Sequence, residues 1–123
     1  MSEISTIVSI LGTDYKVCLT SNESKYPILK DCNGYIDDSI KLLVIRNEFI
    51  KEDSAMENPS DTILKNIRHE VIHAFLYESG LDFDSSKANH WAVNEEMVDY
   101  FAIQFPKIEK VIDGLYDWYI RNC

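Results

Sequence analysis

The sequence predicts a single domain of the α+β class. Three observations support this prediction. Segments with the composition of β-strands occupy residues 3–46, whereas helical patterns follow between residues 60 and 121. The chain of 123 residues is long enough for one domain with one modest core. We therefore expect residues 1–123 to form a small antiparallel or mixed sheet, made of a hairpin and an edge strand, that packs on a helix and is followed by two further helices.

A β-hairpin is expected at the start of the chain. Residues 3–11 (EISTIVSIL) are rich in β-branched side chains, and residues 15–21 (YKVCLTS) would form the returning strand. The segment Gly12-Thr13-Asp14 between them is typical of a turn. Asn33-Gly34 indicates another turn, with a short strand expected at residues 35–37.

The last predicted strand is residues 40–46 (IKLLVIR), which form a nearly continuous apolar run. A polar connector then ends in Pro59-Ser60-Asp61, residues that favour the start of a helix, and Gly80 favours its end. Pro106 is expected to end the next helix and to occupy the first turn of another. The predicted helices are residues 60–79, 91–105 and 107–121.

Composition and charge limit the possible partners and compartment. The net charge of −9 argues against nucleic acid or an anionic membrane, and no apolar run approaches the length of a membrane span. Three cysteines without a CxxC spacing indicate a reducing compartment rather than a disulfide framework. The first ten residues lack the basic region of a secretory signal. We therefore expect a cytoplasmic protein.

The stretch HEVIH at residues 69–73 has the pattern of a metal site. On a helix, His69 and His73 point within about 40° of each other, and Glu70 lies beside them. Two neutral imidazoles bind zinc at about 2.0–2.1 Å, and a neighbouring carboxylate is placed to accept a proton from water. The alternative is a surface helix with two solvated histidines. The apolar residues expected to face the sheet lie on the opposite side of this helix: Leu64, Ile67, Val71, Ala74 and Phe75.

A third metal ligand is expected from the next helix, within NEEMVD at residues 94–99. Glu95 and Asp99 are four residues apart and share one helical face. A carboxylate ligand with a second carboxylate one turn later allows the second group to orient a ligating histidine. Glu96 is the competing ligand, but no carboxylate follows it one turn later.

These residues resemble the gluzincin pattern of zinc metallopeptidases. An HExxH motif is followed by NExxxD, with residues 74–94 between His73 and Glu95. The small size is similar to that of the minigluzincins and of small HExxH proteins encoded in phages and prophages of low-GC bacteria. The resemblance implies a zincin-like fold with a Zn²⁺ cofactor and a protein or peptide substrate. It also implies roles for six residues: His69, His73 and Glu95 as zinc ligands, Glu70 as catalytic base, and Asp99 and Asn94 as partners of the two histidines.

The same resemblance suggests where the substrate and the oxyanion would be bound. In such peptidases the last strand before the zinc helix is an open edge that pairs with extended substrate, which implies Leu43, Val44 and Ile45. These enzymes usually have a downstream histidine or tyrosine that stabilises the oxyanion. No histidine follows His90 in this chain, so His90 in the connecting loop and Tyr77 are the candidates.

A looser resemblance concerns the segment EEMVDYFAIQFP at residues 95–106. It is similar to the helix after HExxH in ImmA/IrrE-type peptidases, which cleave repressors, although Asp99 stands where that family usually has asparagine. We expect a zinc-dependent metallopeptidase in which Glu70 activates water. The alternative is a non-catalytic zinc-binding interaction module, such as a phage regulatory protein. A structural zinc site has no need of Glu70 and prefers four protein ligands.

Overall fold

A computed structural model describes residues 3–49, 58–81 and 95–122. Within these residues a four-stranded mixed sheet packs against two long helices, which confirms the α+β class. The strands are β1 (Ile4–Ile10), β2 (Thr13–Leu19), β3 (Gly34–Asp37) and β4 (Leu42–Ile45). The helices are α1 (Pro59–Glu78) and α2 (Glu95–Asn122), with a short 3₁₀ helix at Pro27–Lys30.

The predicted hairpin is confirmed as β1 and β2, which pair antiparallel. Ile10 pairs with Thr13, so the turn consists of Leu11 and Gly12. Both residues are left-handed, with φ of 51° and 88°, as expected of a two-residue turn whose twist matches that of the flanking strands. Leu11 accepts this conformation at a cost in strain, whereas Gly12 has no side chain to oppose it.

The sheet order is β1-β2-β4-β3, so β4 lies inside the sheet. It pairs parallel with β2 and antiparallel with β3. The prediction that Leu43, Val44 and Ile45 belong to an open edge strand is therefore wrong, and their side chains are fully buried. The nearly continuous apolar run instead reflects the interior position of β4, because a strand covered on both faces and both edges needs apolar residues throughout. The edge on this side of the sheet is β3.

The main core lies between one face of the sheet and the two helices. α1 contributes apolar residues at helical spacing, and the prediction for this face holds at four of the five positions, whereas Leu64 is half-buried and Ile63 is buried instead. The buried residues of this core from α1 are Ile63, Ile67, Val71, Ala74 and Phe75. The opposite face of the sheet carries a smaller cluster around Cys18, Tyr26 and Leu29.

α1 begins and ends close to where the sequence predicts. Asn58 caps the start by accepting a hydrogen bond from the Asp61 N–H. At the other end Gly80 is left-handed, with φ of 76°, and Leu81 N–H donates to the Leu76 carbonyl. This pattern ends a helix because it satisfies carbonyls that have no donor inside the helix.

The last turn of α1 is tied to the sheet through Glu78. Its carboxylate accepts hydrogen bonds from the Tyr15 hydroxyl at 2.5 Å and from the Lys41 ammonium at 3.0 Å. Lys41 also contacts Asp38 at 2.9 Å. The network joins the end of α1 to β2 and to the turn between β3 and β4.

α2 is one continuous helix with Pro106 inside it. The prediction that Pro106 separates two helices is therefore wrong. The apolar positions repeat at helical spacing across the proline, and this face packs into the main core: Phe101, Ile108, Val111, Ile112, Leu115 and Tyr119. Burial of that face favours an unbroken helix over the local cost of the proline.

The two long helices run antiparallel. Tyr100 near the start of α2 donates to the Phe75 carbonyl at 2.9 Å, whereas Tyr119 near its end donates to Ser60 at 3.3 Å. Within the described ranges, neither helix combines the length with the apolar composition that a membrane span requires.

Candidate metal centre

His69 and His73 converge on one point beside α1. Their Nε2 atoms are 3.1 Å apart, and the two rings meet edge to face with centroids 4.7 Å apart. Two nitrogen ligands at about 2.0–2.1 Å in a tetrahedral zinc site are about 3.3–3.4 Å apart. The observed separation is close to that value, so the two imidazoles fit a shared metal ion. His69 is exposed and His73 is half-buried, which leaves the point accessible from solvent.

Glu70 lies next to the two histidines but faces a different environment. It is only 5% exposed. The sequence predicts that Glu70 lies beside the two histidines but does not predict this burial. Ligand atoms of His69, Glu70 and His73 all lie within 4.8 Å of one another, so the group can hold a metal ion. Burial raises the pKa of the Glu70 carboxyl to about 7. A bound cation would oppose this shift, because it favours the charged carboxylate.

The burial of Glu70 arises from the close approach of α1 to β3. The carboxylate lies against Gly34, the first residue of β3, which has no side chain to exclude it. The helical period turns the two histidines away from this contact and toward solvent. Sequence patterns on α1 alone could not reveal this contact, since it depends on a residue 36 positions earlier in the chain.

A further polar group lies one turn before Glu70. The side-chain nitrogen of Asn66 is buried and has no hydrogen-bond partner among the described residues. Asn66 is not among the site residues predicted from the sequence. The only signal for it is its position on the same polar stripe of α1 as His69 and His73.

Among the described residues, the group that could hold a metal ion contains no other predicted ligand. His90 and Asn94 lie outside the described residues. Glu95 is the first residue of α2, but its side chain lies outside the described part of the structure. Asp99 and the competing candidate Glu96 are exposed. The predictions for these five residues therefore stay predictions. Tyr77, the second oxyanion candidate, is half-buried on α1.

The start of α2 lies beside the last turns of α1, after His73. Tyr100 donates to the carbonyl of Phe75, two residues after His73. Because the helices are antiparallel, residues before Tyr100 extend toward and past the last turn of α1. Glu95 is five residues farther in that direction, about 7–8 Å along the helix axis.

Comparison with protein-family models, with curated proteins and with solved structures finds no match to this chain. The chain is an α+β protein whose first long helix, α1, carries a group of residues, His69, Glu70 and His73, that could hold a metal ion.

Proposed function

We propose that this protein is a zinc-dependent metallopeptidase that hydrolyses peptide bonds in a protein or peptide substrate. One observation carries the proposal. The Nε2 atoms of His69 and His73 lie 3.1 Å apart, and the buried carboxylate of Glu70 belongs to the same compact group. A purely structural site would have no use for a buried carboxylate beside two ligating imidazoles.

The donor set suits zinc. Two imidazoles with one carboxylate, which we assign to Glu95, would leave one coordination position open. Zinc bound here would supply a Lewis acid that polarises a carbonyl and makes water more acidic. Asp99 and Asn94 are proposed to accept hydrogen bonds from the free ring N–H groups of the two histidines and so to fix their orientation.

Glu70 is proposed to be the general base. One of its carboxylate oxygens would accept a proton from the attacking water and then deliver that proton to the nitrogen of the leaving amine. Its burial suits this role, because a carboxylate packed in one position next to the two histidines can be aligned with the attacking water. His90 is proposed as the residue that stabilises the negative charge on the former carbonyl oxygen, with Tyr77 as the alternative.

The substrate-binding strand is reassigned from β4 to β3. β3 lies at the edge of the sheet, and no other described strand pairs with its outer side. Its first residue contacts Glu70, so a peptide that pairs with β3 would pass close to the carboxylate. Backbone hydrogen bonds to an edge strand bind extended peptides with little demand on their sequence.

The substitution Glu70→Gln tests the proposal. It keeps the shape of the side chain but removes its ability to accept a proton. We expect the variant to fold and to bind zinc as the parent does, while cleavage falls by a factor on the order of 10²–10⁴. Parent and variant would be incubated with a cell lysate and with a peptide library derived from a proteome, and new N-termini would be identified by mass spectrometry.

The matched control is Glu109→Gln, which makes the same chemical change at an exposed position of α2 and should leave cleavage unaltered. Cleavage-free profiles for the parent would reject the peptidase and favour a zinc-binding interaction module. A loss of zinc in Glu70→Gln would show that Glu70 is itself a ligand, and its assignment as the base would then fail.

A further inference from the structure

Gly34 occupies a position at which a side chain would crowd the Glu70 side chain. A Cβ atom built on Gly34 would lie 3.3 Å from Oε2 of Glu70 and 3.6 Å from its Cγ. It would also lie 3.3 Å from the carbonyl oxygen of Val44 on the neighbouring strand. The contact with the Val44 carbonyl would be the same whatever residue occupies position 70. The Glu70 side chain can move, and it would have to shift by a few tenths of an ångström.

The backbone angles of Gly34 do not require glycine at this position. The left-handed glycines of the described chain are Gly12 and Gly80, and Gly34 is not among them. Glycine inside a strand is unfavourable, since it loses more conformational freedom on folding and has no side chain to pack. Gly114 offers a comparison, because a Cβ there would meet nothing within 4 Å.

We infer that Gly34 is a positioning residue, whose missing side chain provides the space in which the Glu70 carboxylate lies against β3. The contact itself follows from geometry, while its catalytic consequence rests on the proposed function. With a methyl group at position 34, the carboxylate would be displaced from the edge of β3, the strand along which the substrate is proposed to run. The two histidines lie on another side of α1 and would keep their arrangement.

A double-mutant cycle on folding tests the contact without any assay of activity. Gly34→Ala would be compared in the parent and in Glu70→Ala by denaturant unfolding. We expect Gly34→Ala to lower the equilibrium constant for folding at least about five times more in the parent than in Glu70→Ala. Only in the parent does the added methyl group meet the carboxylate. Gly114→Ala should act equally in both backgrounds. Equal effects of Gly34→Ala in both, within about twofold, would overturn the inference.

Kinetics test the positioning role. We expect Gly34→Ala to lower kcat by about 10–100-fold, with zinc content unchanged and KM within about threefold, because displacement of a catalytic group by a fraction of an ångström is costly. An unchanged kcat, or an effect confined to KM, would overturn the role. If the parent cleaves nothing, the proposed function fails, and the folding cycle still decides whether Gly34 and Glu70 compete for one space.

Discussion

His69 Nε2 lies 3.1 Å from His73 Nε2 on the next turn of α1, with both rings directed at one point outside the helix. Two neighbouring imidazoles can share one proton between these atoms, or both can direct a lone pair at one cation. Binding of a cation requires both rings to be neutral. The cation is bound more tightly when the other ring N–H group of each histidine donates a hydrogen bond to an acceptor.

The first prediction is that the purified protein carries close to one zinc ion per chain, measured by elemental mass spectrometry. His69→Ala and His73→Ala should each lose most of this zinc. Glu95→Ala should do the same if it provides the third ligand. Asp99→Ala should weaken zinc affinity by about 10–100-fold in chelator competition, since it orients a ligand and does not replace one. If Glu96→Ala empties the site while Glu95→Ala leaves it full, the third ligand is Glu96.

The second prediction concerns removal of the metal. Zinc that binds only the folded state adds about 2.7 kcal/mol of stability when its free concentration is 100 times Kd. A chelator should therefore lower the midpoint of thermal unfolding of the parent, and added zinc should restore it. His69→Ala should respond much less to either treatment. An equal response of parent and variant would place the stabilising metal elsewhere.

Local patterns in the sequence correctly predict where an element ends when a single residue determines that end. Gly12 marks the hairpin turn, and Gly80 ends α1, because both adopt left-handed backbone angles that other residues resist. The pairing of His69 with His73 is also local, since it follows from the helical period. These features need no knowledge of what the elements pack against.

Features that depend on distant contacts are predicted poorly. The interior position of β4 comes from its parallel pairing with β2, in which Leu42 lies opposite Lys16. No local pattern specifies that pairing, and an apolar run alone does not identify the neighbours of a strand. The burial of Glu70 likewise depends on how closely α1 approaches Gly34. Both the position of β4 in the sheet and the burial of Glu70 are determined by tertiary contacts.

The third prediction concerns acid stability through Glu78. Hydrogen bonds from Tyr15 and Thr13, together with Lys41, lower the pKa of the Glu78 carboxyl to about 2. A carboxyl whose pKa is lower in the folded than in the unfolded state stabilises the fold above its ordinary pKa of about 4.5. That contribution is lost as the pH falls from about 4.5 toward 2.

Glu78→Gln should therefore reduce the free energy of unfolding at pH 7, by on the order of 1–3 kcal/mol. The difference from the parent should shrink as the pH falls below 4, as measured by denaturant unfolding at several pH values. Glu109→Gln, at an exposed site, is the control and should show no such trend. A difference that stays constant down to pH 2 would mean that the carboxylate charge contributes nothing to stability.

The fourth prediction uses the proline inside α2. Pro106 has no N–H to donate to the carbonyl four residues earlier, and its ring crowds that turn. Because Pro106 is exposed, its replacement should disturb no core contact. We expect Pro106→Ala to raise the free energy of unfolding by about 1–3 kcal/mol.

The control is the substitution Lys107→Ala at the neighbouring exposed residue, which leaves the backbone hydrogen bonds unchanged. It should alter the free energy of unfolding by no more than about 0.5 kcal/mol. Denaturant unfolding of the three proteins measures both effects. A neutral or destabilising effect of Pro106→Ala would contradict a continuous α2, because alanine can stabilise this position only if the turn around it is helical.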